Sequence, residues 1–184
     1  MKQANTMDSS LVGEVSGDQH QYLNFQIGKE MFAVGILHIR EIIEYGSLTT
    51  VPMMPGFVRG VINLRGSVVP VIDLSSRFGR GESVINRRSC IVILEIDSAH
   101  AANDEESLQE IGVIVDSVSE VLEIPPAEIE PAPSFGARIR PDFIAGMGKV
   151  QGRFVILLDV QHVLDIGEMA ELASVVDGLV DDDS

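Results

Sequence analysis

The chain has 184 residues, 45% of them hydrophobic but only 5% aromatic, with no tryptophan, so any core is built chiefly from Val, Ile and Leu. The formal net charge is -15, and it lies almost wholly in the second half: residues 1–88 carry 9 Lys+Arg against 8 Asp+Glu, and residues 89–184 carry 4 against 20. That balance excludes the cationic footprint that nucleic acid requires, and the single cysteine, Cys90, excludes an internal disulfide or a Cys-based zinc cluster.

Residues 1–19 are polar and unpatterned, the composition of a mobile tail. They contain no apolar stretch of the kind that opens a secretory signal. No apolar run approaches the ~20 residues of a membrane span, so direct membrane insertion is not expected, and a lone cysteine suits a reduced, cytoplasmic setting. Leu23, Phe25 and Ile27 alternate with polar residues, Gly28-Lys29-Glu30 supplies a turn, and Met31–Val34 returns, which predicts a β-hairpin. Residues 36–45 read as a short helical turn running into a strand. Phe57–Leu64 and Val68–Leu74 predict a second hairpin across Arg65-Gly66-Ser67, where glycine permits positive φ. Pro70 has no N–H to give a ladder and is expected at a sheet edge or bulge.

Residues 77–88 form a polar connection and 89–96 a buried strand. Residues 97–110 are an acidic loop, 111–116 a strand, and 118–124 alternate again. Pro125-Pro126, Pro131 and Pro133 break the chain. Residues 143–149 and 153–160 predict a last hairpin, 159–164 open a helix extending to about 176, and 177–184 are an acidic tail. Many short strands punctuated by Gly and Pro predict an all-β architecture with short helices. Three apolar runs end in aspartate (VVPVID, GVIVD, FVILLD), as two barrels of similar build would.

Those aspartates, Asp73, Asp116 and Asp159, carry a remote reading as a carboxylate metal site of a small β-barrel enzyme. The simpler reading is that each closes a strand and caps the next turn or helix. His20, His38, His100 and His162 have no helical metal spacing. No serine sits in a G-x-S-x-G elbow, and Gly146-Met147-Gly148 lacks the helix and acidic partner of a dinucleotide site; a β-turn is its simpler use. Cys90 reads as a small buried hydrophobe. No cofactor, metal or catalytic group is predicted.

Residues 56–74, GFVRGVINLRGSVVPVIDL, resemble the signature stretch of CheW-type coupling proteins: Gly60, then Asn63-Leu64-Arg65-Gly66, then Pro70 and Asp73. QYLNFQIGKEMFAVGILHIREIIE, GVIVDSVSEVLEI, IEPAP, FIAGMGKVQGRFVILLDVQHVL and GEMAEL extend the likeness over residues 21–172. The resemblance implies two packed SH3-like five-stranded β-barrels in a domain spanning 20–172, the first barrel mainly 21–88 and the second mainly 89–160. It implies a non-catalytic adaptor coupling the cytoplasmic tip of chemoreceptors to the regulatory domain of the histidine kinase CheA, with other CheW-like proteins as ring partners. Such a protein is cytoplasmic and recruited to membrane-associated arrays. An adaptor of a non-flagellar chemosensory pathway is the alternative. The acidic loop is longer than the family usually has.

The resemblance also implies receptor contacts at Ile36, Ile39, Glu41, Gly60, Asn63, Leu64, Arg65 and Val118; it leaves the kinase-binding residues open. A guanidinium held beside a turn glycine on a stiff hairpin is well placed for bidentate pairing with a carboxylate. For Ile36, Ile39 and Val118 the competing reading is ordinary core, and for Gly60 a turn or bulge requirement.

Overall fold

The computed structural model describes residues 20–97, 108–132 and 139–165. Among the described residues eleven strands form two sheets. The first seven are β1 (Gln21–Ile27), β2 (Glu30–Gly35), β3 (Ile39–Glu44), β4 (Val58–Leu64), β5 (Ser67–Asp73), β6 (Cys90–Asp97) and β7 (Leu108–Val115). They are followed by β8 (Ser117–Glu123), β9 (Ile129–Glu130), β10 (Ile144–Val150) and β11 (Arg153–Leu158). Short helices α1 (Leu74–Arg77) and α2 (Val160–Val163) follow β5 and β11. The helical turn expected before β3 is a 3-10 turn at Ile36–His38. Among the described residues, no helix is long and apolar enough to cross a membrane.

The six-stranded sheet runs β8-β1-β2-β11-β10-β9, and the five-stranded sheet β3-β6-β7-β5-β4. The chain therefore does not divide near residue 88. β1 and β2 leave their sequence neighbours and join β8–β11, through a parallel ladder pairing Ile156 with Phe32 and Leu157 with Ala33. Strand alternation cannot show such an exchange, because it fixes which face is apolar and not which strand lies alongside. Neither sheet is a closed barrel and one has a sixth strand, but both roll up. In the five-stranded sheet the chain beyond β3 reaches the far edge, where Thr49 N donates to Val61 O at 3.0 Å and Val61 N to Thr49 O at 2.9 Å.

Rolling creates three apolar layers. Val69, Val71, Ile91, Ile93 and Ile114 fill the five-stranded roll, and Ala33, Ile124, Val155 and Leu157 fill the other. Between the two sheets lies the largest core, including Phe25, Phe32, Val92, Leu94, Val113 and Phe143. This explains the unbroken apolar run of β6: Ile91 and Ile93 point into the roll while Val92, Leu94 and Ile96 face the other sheet, so both faces are buried.

Residues 57–78 and 143–164 are one pattern used twice. Phe57 O accepts from Asp73 N at 2.7 Å, and Phe143 O from Asp159 N at 2.8 Å. Arg65-Gly66 and Gln151-Gly152 are matching two-residue turns with both φ positive (51° and 86°; 52° and 79°), as type I′ hairpins demand. Both hairpins bulge at the same point, between Val58 and Gly60 and between Ile144 and Gly146.

Three local expectations are corrected. Pro70 lies in β5, an interior strand; it pairs with Val61 of β4, and the ladder to β7 begins only at Val71, so no partner is lost. Gly146 and Gly148 are not turn residues but strand residues over which other chain packs: a Cβ on Gly146 would meet Ile129 Cγ2 at 2.6 Å, and one on Gly148 Ile124 Cδ1 at 3.0 Å. The acidic segment 97–110 is shorter as a loop than its composition implies, because Asp97 belongs to β6 and Leu108–Glu110 to β7, paired across the ladder. The helix expected to about 176, the GEMAEL stretch and both tails lie largely outside the described residues.

Candidate protein-docking site

The β4–β5 hairpin tip is built by local chemistry. Asn63 Oδ1 accepts from Gly66 N at 3.1 Å, closing the turn across its own corner. Arg65 adopts a positive φ and its side chain is 65% exposed. Its Nη2 donates to Glu41 Oε1 of β3 at 2.6 Å. β3 and β4 are the opposite edges of the five-stranded sheet, so this ion pair clasps the seam at which the roll nearly closes. The Glu41 hydrogen bond raises the Arg65 pKa above its already high ordinary value, so the guanidinium is always charged.

The seam is an open cleft lined by Ile43, Glu44, Thr49, Ile62, Asn63 and Leu64. Gly60 lies next to Val61, one of the residues lining it, and against Thr49. A Cβ there would stand 2.5 Å from Thr49 O, so glycine is what lets the chain cross from β3 to β4. Gly60 thus serves both close approach and the bulge, since the same residue sits at the β4 irregularity. Leu64 packs into the roll. Glu41, Gly60, Asn63, Leu64 and Arg65 are thereby gathered about one seam.

The remaining candidates stand apart from it. Ile36 and Ile39 are half-buried against the core between the sheets, largely as ordinary core. Val118 packs on that core too, but from β8, which holds in the six-stranded sheet the edge place that β3 holds in the other. Sequence reasoning passed over their neighbours Leu37 and Ile42, which are 64% and 42% exposed. An apolar residue on the outward side of an amphipathic strand was the available signal.

The three aspartates do not converge. Asp73 is fully buried: it takes Arg59 Nη1 at 2.7 Å, Ser83 Oγ at 2.7 Å and Ser83 N at 2.8 Å, and caps α1 through Ser75 N. Asp116 Oδ2 accepts from Gly28 N at 2.7 Å. Asp159 caps α2 and pairs with His162. Among the described residues no three His, Cys, Asp or Glu groups gather as a metal needs. The metal-enzyme reading loses its geometric basis, since each carboxylate is spent on holding strand ends.

The family model described as "CheW-like domain" matches residues 21–168. The chain belongs to the CheW family. It is 32% identical to the chemotaxis protein CheW of Klebsiella aerogenes over 162 residues, covering 88% of this chain and 90% of that one. It is 33% identical to CheW of Helicobacter pylori over 144 residues (78% and 81% of the two chains), and 28% identical to protein FrzA of Myxococcus xanthus (79% and 83%). The crystal structure of the scaffolding protein TtCheW from Thermoanaerobacter tengcongensis matches with a TM-score of 0.68 and 32% identity, covering 79% of this chain and 87% of that one. This CheW-family chain is accordingly a chemotaxis coupling adaptor, of a family known as non-catalytic scaffolds.

Proposed function

We propose that the chain joins the cytoplasmic tip of a chemoreceptor to the regulatory domain of the kinase CheA, without itself catalysing a reaction, and that the seam clasped by Arg65 and Glu41 is its receptor-facing side. The observation that carries this is the Arg65–Glu41 pair: a charged group presented on a rigid two-residue turn, across an open cleft, with exposed apolar Leu37 and Ile42 on the same edge segment. A receptor tip is a helical hairpin, and a helix binds a cleft through apolar anchors flanked by charge. The pair is solvent-exposed, so it adds little to stability and is free to exchange partners. Single contacts of this size are weak and gain strength by repetition across an array. Recruitment to membrane-associated arrays follows from receptor binding.

Co-sedimentation with receptor-containing membranes tests this. Arg65→Glu, which places a second carboxylate against Glu41, is expected to reduce receptor-bound protein about tenfold or more, on the order of 1.4 kcal/mol, with circular dichroism unchanged. Receptor binding equal to the parent's would remove the seam from the interface.

A further inference from the structure

The connection from α1 to β6 is a second presented surface. Val84 is 81% exposed, and Arg87 and Arg88, three and four residues further along the loop, are exposed too and make no ion pair or side-chain hydrogen bond with any described residue. Arg40, Arg59, Arg65, Arg80 and Arg140 are all paired with carboxylates. The loop is nevertheless firmly held. Ser83 is tied to Asp73 by two hydrogen bonds, Asn86 N donates to Ser89 Oγ at 2.9 Å, Arg88 N to Asn86 Oδ1 at 2.7 Å, and Ile85 packs into the five-stranded roll. Two cations and an apolar side chain are thus held outward at little further entropic cost, on a chain of net charge -15.

We propose that this loop is docked by the chain's own acidic segment 177–184, DGLVDDDS, with Asp181, Asp182 and Asp183 facing Arg87 and Arg88 and the apolar Leu179 or Val180 on Val84. Residues 166–184 carry six acidic side chains and no Lys or Arg. The loop and this segment leave from one place: Arg77 of α1 donates from Nε to Val163 O of α2 at 2.7 Å. Asp181 lies 16 residues beyond Asp165, a stretch of chain that spans at most about 50 Å. Arg87 lies ten residues beyond Arg77, so it is within about 35 Å of that shared departure point. Because loop and segment belong to one chain, their encounter is intramolecular, an advantage that an untethered acidic partner has to overcome by concentration. The other acidic stretch, 98–107, is held at both ends at the far end of β6, about 26 Å from Arg88. Ten residues anchored twice reach back only about 18 Å.

The test is amide NMR on the full chain. Asp181→Asn, Asp182→Asn and Asp183→Asn together are expected to shift the amides of residues 84–89 more than any others outside 166–184, and about 0.5 M salt should reproduce the shift. Arg87→Asp with Arg88→Asp should release the segment, and adding Asp181→Arg, Asp182→Arg and Asp183→Arg should restore it. Amides 84–89 that stay unmoved by the triple Asn variant would overturn the proposal. A shift that disappears on tenfold dilution would overturn it equally, by assigning the occupant to a second copy.

Discussion

Gly60 and Gly66 lie six residues apart in one hairpin, both at positive φ, and ask different things of a side chain. At Gly66 a Cβ meets open space, so a substitution carries only the conformational penalty of the left-handed region, about 1 kcal/mol. At Gly60 the Cβ would be driven against a backbone oxygen, that of Thr49, which is fixed by two hydrogen bonds to Val61. Gly60→Ala is therefore expected to destabilise by about 2–4 kcal/mol, read as a lowered urea midpoint, and Gly66→Ala by much less. A glycine ahead of N-L-R-G was legible in the sequence. Thr49, the residue whose carbonyl makes it obligatory, was not, because a single bridge eleven residues upstream leaves no periodic trace. Arg77 was illegible for the opposite reason: a positive charge reads as surface, yet here it is 8% exposed.

At the scale of elements, α2 shows how four residues hold a helical turn. Asp159 Oδ1 accepts from His162 N at 3.2 Å, and its Oδ2 lies 2.9 Å from His162 Nδ1. That hydrogen bond, followed by the charge of Asp159 and the smaller influence of Asp142 and Asp165, raises the His162 pKa above 6.5. Asp142 is itself held below its ordinary value by the hydrogen bond from Arg140, so it is ionised when His162 titrates. A folded-state pKa above the unfolded one makes the contribution complete below about pH 6.5. It is lost as pH rises through the raised folded value. An NMR titration of the His162 ring should give a midpoint above 6.5, and Asp159→Asn should bring it down. Existence and type of the strands were legible, since alternation and Gly or Pro punctuation act locally. β9 was missed because two residues carry no period, and the ends of β6 and β7 because acidic side chains on a paired edge look like a loop.

The whole molecule is held by what sits between its two rolls. Arg77 leaves α1, lies over the rings of Phe57 at 5.0 Å and Phe143 at 4.7 Å, and donates to Val163 O. Those phenylalanines occupy matching positions in the repeated pattern, so one guanidinium joins the two halves where their symmetry would meet. Arg77→Met keeps the apolar stem but leaves Val163 O without that donor, and is expected to cost about 2–4 kcal/mol. Arg77→Lys should recover little of this, because an ammonium has no planar face to stack. Chemical denaturation followed by far-UV circular dichroism measures both. The pairing of halves escaped the sequence because apolar periodicity assigns faces, while partners are chosen by rolled sheets and a buried cation. The parallel ladder between β2 and β11 joins a strand made early to one made late. A ribosome has released strands one to seven, everything the five-stranded roll needs, before Ile156 and Leu157 exist. During synthesis β1 and β2 therefore wait with an unmatched edge, and the six-stranded half is completed only as its last strand clears the exit tunnel.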